Sequence, residues 1–252
     1  MKTFRDIGLL FRRYTLQMLR NPIWLFVGFS TPILYLALFT PLLKHVAPDL
    51  GVQGGVLEIF LPGILCLLAF ASGSSMGFST IFELQAGVIE RFRVTPASRL
   101  AILVGPILSG LTMMLVFDGV VVAIGVGVGF QIHWLGLAAL AVLLGVLASL
   151  MAAFSTATAL VTKEINSFAA IINGINLPIL LLAGVLLPIS IGPLWMRVLA
   201  HFNPLYYAVQ ASRSLATGTF GTPAVWQAFA VLVPLCALVV AWATRVFRKA
   251  VA

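Results

Sequence analysis

Seven carboxylates, three histidines and two cysteines are the side chains of this 252-residue chain that could do acid–base, nucleophilic or metal chemistry. Their spacing assembles no catalytic set. His45, His133 and His201 are scattered among apolar stretches. No HExxH zinc pair or GxxxxGK(S/T) phosphate loop occurs. The run Gly125-Val-Gly-Val-Gly129 has the glycines of a phosphate loop but not its preceding strand or its Lys-Ser/Thr tail. It reads as helix packing or a helix end. Cys66 and Cys236 fall in oily runs without ligand-spaced partners, so both read as buried apolar thiols, with no disulfide and no metal. Two features remain. Asp118 is the only acid deep inside a predicted membrane span, where a carboxylate is costly and faces a bundle or a wet cavity. A functional role and a structural, hydrogen-bonded or protonated one are both open for it. The second feature is a polar island over residues 80–99, between two long oily runs, with two of the seven acids and three of the fifteen bases.

The elements that position these groups follow from composition. Hydrophobic residues make up 61% and charged residues 9%, with mean hydropathy +1.11. A soluble domain carries roughly 25% charged residues. Several apolar runs are long enough to cross a bilayer. The formal charge of +8 could suggest nucleic acid as a partner, but the bases are spread between spans rather than gathered in one patch.

In chain order, residues 1–21 predict an amphipathic helix in the membrane interface. Phe4, Ile7, Phe11, Tyr14 and Met18 share one face, and Lys2, Arg5, Arg12, Arg13 and Arg20 the other. The first oily run follows this helix without a small-residue cleavage site, so the first span is expected to be retained. Asn21-Pro22 is a helix start. Spans are expected at about 22–43, 58–80, 100–130, 135–162, 166–188 and 223–244. Residues 44–57, with His45, predict a loop. Gly73 and Gly77 are at GxxxG spacing, and Ser149 to Thr156 supply a small-residue face, both suited to helix packing. A polar conduit lining is the alternative for the Ser72–Gly77 stretch. Asn173, Gly174, Asn176 and Pro178 predict a bend or partial unwinding of the fifth span, ended by Pro188. Residues 189–222 are too broken to cross and predict two short helices around Asn203-Pro204. Phe70, Phe78, Phe117, Phe154 and Phe168 could line an apolar path or pack as ordinary aromatics.

The expected fold is therefore an all-α polytopic membrane protein, one domain over 1–252. It has six transmembrane helices, an interfacial helix, a cytoplasmic loop at 81–99 and short outer re-entrant helices at 189–222. With the N-terminus inside, twelve of the fifteen bases fall on the inner side, leaving Lys44, Arg197 and Arg213 outside. Both termini and the island are then cytoplasmic by the positive-inside rule.

The island Glu83-Leu-Gln-Ala-Gly87-Val-Ile-Glu90-Arg91-Phe-Arg93-Val-Thr95-Pro96 resembles the first cytoplasmic loop of type-2 ABC transporter permeases. Glu83, Gly87, Glu90, Arg91, Thr95 and Pro96 match that pattern, and Val88 departs from a common Thr. Asn203-Pro204 resembles the same family's late extracellular element. The resemblance spans nearly the whole chain. It is strongest to permeases of daunorubicin-resistance-type drug exporters, and extends to nodulation-factor and polysaccharide exporters.

The resemblance implies a half-transporter in a prokaryotic plasma membrane. Two permease chains, identical or paralogous, would line one path above two cytoplasmic ATPase subunits. ATP and Mg would bind the ATPases, and this chain would hold no cofactor and be no enzyme. A coupling helix within 83–92 would dock on the ATPase through Glu83, Glu90, Arg91 and Arg93, with Phe82, Ile89 and Phe92 as apolar anchors. Alternatively, these charges only solvate a loop. Asp118, Asn173 and Asn176 are the candidates for the substrate path. The rival expectation is an ion-coupled secondary transporter or channel working through Asp118.

Overall fold

The computed structural model describes residues 2–46, 56–87, 99–131, 133–185, 189 and 192–251. Among these, nine helices occur and no strand. They are α1 (Lys2–Leu19), α2 (Pro22–Val46), α3 (Val56–Gln85), α4 (Arg99–Gly127), α5 (Trp134–Thr162), α6 (Ile165–Ala183), α7 (Leu194–Ala200), α8 (Pro204–Ala216) and α9 (Pro223–Val251). Five of them, α3, α4, α5, α6 and α9, are long and apolar enough to cross a membrane. Within α2 the described apolar stretch is the shorter Leu25–Leu38.

A bilayer offers no water to backbone groups, so long apolar segments become helices that satisfy their own hydrogen bonds. The predicted punctuation holds at several points. The Asn21 carbonyl accepts from Leu25 N at 3.2 Å and Pro22 opens α2. The glycine run ends α4, with Gly129 at φ +110° and Gly125 packed against Leu61.

The bundle is built around α3, which is the most buried span, with α6 and α9 at its periphery. Its main partner is α5. In lipid, helices associate through close packing and interhelical hydrogen bonds rather than by the hydrophobic effect. Both are present here. A side chain at Gly73 would strike the Ala148 carbonyl and Met151, and one at Gly77 would strike Phe168 and Ser155. Ser155 donates to the Ser74 carbonyl at 2.5 Å and accepts from Gly77 N at 2.9 Å. The packing expectation for the small residues is met. α1 lies along α4, with Leu10 over Gly105 and Thr15 hydrogen-bonded to Ser109 at 2.9 Å.

Four expectations are corrected. α2 continues to Val46, so Lys44 and His45 belong to a helix rather than to a loop. α3 continues to Gln85, so the island's first residues are still helical. α6 runs unbroken through Asn173, Asn176 and Pro178. A proline removes one backbone donor, and packed neighbours let a membrane helix absorb that loss. Finally, α6 ends before Pro188, at Gly184, whose φ of +68° suits a residue without a side chain.

At one end of the bundle, α8 ties α3 to α6 through Arg213. Its guanidinium donates to the carbonyls of Ile59 at 3.2 Å and Gly184 at 2.7 Å. An apolar replacement leaves the Gly184 carbonyl, at the C-terminal end of α6, without this donor. Arg213→Met should cost about 3 kcal/mol, and its unfolding midpoint in detergent should fall accordingly. An unchanged midpoint would show that the tie contributes nothing.

Candidate functional site

Sequence placed the working residues in three groups, and the structure sets them in different surroundings. Glu83 lies in the last turn of α3, half-buried. The half-buried Tyr14 phenol of α1 sits beside its carboxylate, with the Arg13 guanidinium 5.8 Å from the Tyr14 ring centre. Burial, and then the Glu83 charge, push the Tyr14 phenol up from its ordinary value, so it stays protonated. Gly87 closes the helix. Ala86 N bonds to Phe82 O at 2.9 Å, Gly87 N bonds to Leu84 O at 3.1 Å, and Gly87 has φ +65°. That left-handed turn explains the glycine and ends the helix. Phe82 is exposed on the same turn. Glu90, Arg91, Arg93, Thr95 and Pro96 lie outside the described residues.

The path candidates do not converge. Asp118, on α4, is buried, and neither carboxylate oxygen has a hydrogen-bond partner among the described residues. Its near neighbours include Cys66 of α3. On α6, Asn176 accepts a 3.5 Å hydrogen bond from Ser74, and Asn173 is exposed. The five phenylalanines pack: Phe70, Phe117 and Phe168 are buried, Phe78 meets Phe168 edge-on at 4.7 Å, and Phe154 lies 6.1 Å from Trp242.

Asn203 and Pro204 do structural work that the motif alone did not reveal. The Asn203 side chain caps α8 by accepting from Leu205 N at 3.0 Å, and its amide donates to Ile179 O of α6 at 2.6 Å. Pro204 occupies the first turn, where its missing donor costs nothing. Asn203→Ala should lower stability by about 2 kcal/mol. Asn203→Asp should not rescue it, because its second carboxylate oxygen would face the Ile179 carbonyl in place of the amide donor. Equal midpoints for Asn203→Ala and the parent would exclude this role.

Sequence reasoning missed Arg213 and the Tyr14–Glu83 contact. A lone base in α8 among Ala208, Val209, Ala211 and Leu215 is the signal that could have flagged the former. No group of three or more His, Cys, Asp or Glu able to hold a metal occurs among the described residues. Cys66 and Cys236 are free thiols. His201 Nδ1 lies 2.7 Å from the Arg197 carbonyl, a local helical contact.

Among the described residues the helical bundle gathers no metal-binding cluster, and in sequence its central helix leads into the charged island. The sequence profile of the ABC-2 type transporter family matches residues 5–216, and the chain belongs to that family. Among its relatives is the transport permease ycf38 of Cyanophora paradoxa, 30% identical over 216 residues, 84% of this chain and 74% of that one. Another is the daunorubicin resistance ABC transporter permease protein DrrB1 of Streptomyces coeruleorubidus, 26% identical over 219 residues, 86% and 76% of the two chains. The chain is thus a multi-pass permease subunit of an ABC transporter. It has no ATPase activity and binds no cofactor of its own, and ATP is bound by the ATPase subunits with which such permeases pair.

Proposed function

We propose that this permease exports a hydrophobic or amphipathic substrate, a drug, lipid or glycan-lipid, across a prokaryotic plasma membrane. Two permease chains, identical or paralogous, and two ATPase subunits form the working complex. α2 serves as the first of six spans, both termini face the cytoplasm, and α7 and α8 dip into the outer leaflet as re-entrant helices. The DrrB1 relative is named for daunorubicin resistance, which supports an amphipathic cargo.

The observation that carries this reading is the end of α3. The most buried helix of the bundle delivers Glu83 and the left-handed Gly87 directly into the Glu90-Arg91 segment. A helix docked on the ATPase there, using Glu83, Gly87, Glu90, Arg91, Arg93, Thr95 and Pro96, would move the core of the bundle as a rigid body. Asp118, Asn173 and Asn176 remain the residues proposed to meet substrate. A second reading rests on Asp118, whose carboxylate has no hydrogen-bond partner among the described residues and also suits an ion-driven carrier.

A tagged pull-down from gently solubilised membranes tests the choice. Subunit masses should reveal a soluble ATPase in equal amount, with ATPase activity in the eluate. Transport that needs no ATPase, fails when the ion gradient is collapsed and is lost in Asp118→Asn would overturn the exporter reading.

A further inference from the structure

A cleft of about 390 Å³ opens between α1 and the ends of α3 and α4, with Phe247 of α9 as a further wall. Its size falls in the usual range for small-ligand sites, roughly 300–1,000 Å³. Its lining is divided. Arg13 and Glu83 carry charge, Gln17, Asn21 and Thr80 are neutral and polar, and Met18, Ile107 and Phe247 are apolar. Its depth is set by the chain: α3 runs only two residues beyond Glu83, and α1 carries exposed Arg5, Arg12, Arg13 and Arg20. Arg13 and Glu83 therefore sit at the headgroup boundary of the leaflet against which α1 lies.

Charge decides the occupant. Bases alone would attract any anionic headgroup. Here the lining holds one guanidinium and one carboxylate, Arg13 and Glu83, whose charges interact. That pattern complements a zwitterion with an anionic and an ammonium group a few atoms apart.

We propose that this cleft binds a membrane phospholipid with a phosphoethanolamine headgroup, its phosphate on Arg13 and its ammonium on Glu83. The acyl chains run along Met18, Ile107 and Phe247. The bound lipid cements α1 to the cytoplasmic root of α3.

The test is native mass spectrometry of the full chain with its co-purifying subunits. The probes are palmitoyl-oleoyl phosphatidylethanolamine and, separately, the matching phosphatidylglycerol. The parent should hold the ethanolamine lipid about tenfold more tightly. Glu83→Gln should erase that preference. Arg13→Gln should weaken both lipids alike, and Ser79→Trp, which fills the cleft, should remove both. Arg13 and Ser79 are exposed, so these two variants decide the matter even if Glu83→Gln fails to fold. Equal binding of the two lipids by the parent would overturn the proposal, as would lipid binding that survives Ser79→Trp. So would water-soluble phosphoethanolamine binding as tightly as the lipid. The readout is the lipid mass retained, not ATPase activity or transport, so failure here is distinguishable from failure of the exporter reading.

Discussion

Reversing the charges at Glu90 and Arg91 together, as Glu90→Lys with Arg91→Glu, should leave the protein inserted and folded but strip it of its ATPase. Both residues belong to the hydrophilic island of the sequence, outside the oily runs that insert. At an interface, each directional ion pair becomes a repulsion, and juxtaposed like charges cost several kcal/mol. A total near 3 kcal/mol weakens association by more than about a hundredfold. The co-purified ATPase band should therefore vanish while the amount of permease in the membrane stays constant. Each single reversal should do nearly as much, because one wrong charge already leaves its partner unpaired. Full ATPase recovery from the double variant would show that the island is only a solvated loop.

The second large effect is expected at Gly77. A leucine there would drive its side chain into the Phe168 ring and the Ser155 hydroxyl, neither of which has room to withdraw. It would also separate the Ser155 oxygen from Gly77 N and from the Ser74 carbonyl, the hydrogen bonds that lock α3 to α5. Overpacking alone costs about 1–3 kcal/mol, and the severed hydrogen bonds about another 1 kcal/mol each. Gly77→Leu should therefore yield little folded protein, measured as the monodisperse fraction after detergent extraction. Gly119→Leu is the control, since nothing lies within 4 Å of a side chain there, and its yield should match the parent. Equal yields for both variants would mean that α3 and α5 do not meet at Gly77.

What was legible in the sequence was what depends on neighbours along the chain. Five of the six expected spans, the Asn21-Pro22 start, the small-residue packing and the glycine helix end are local patterns of hydropathy and backbone freedom. The family resemblance was legible for the same reason, as an ordered string around Gly87. What escaped was set across the fold. Arg213 was counted as a base on one side of the membrane, yet its acceptors are 154 and 29 residues away in sequence. Asn203 was seen as half of a motif, but its bond to Ile179 depends on where α6 ends. Pro178 misled because a proline's effect on a helix is decided by what packs around it. Tyr14 and Glu83 meet only because α1 folds back on the bundle.

The Arg213 tie has a mechanical consequence. It grips α3 at Ile59, near one tip, while Glu83 lies 24 residues further along, ~36 Å away at 1.5 Å per residue. A rod pinned near one tip and pushed at the other swings and does not slide. Displacement then shrinks steadily toward the pin, so the bundle yields first beside Glu83 and last beside Arg213.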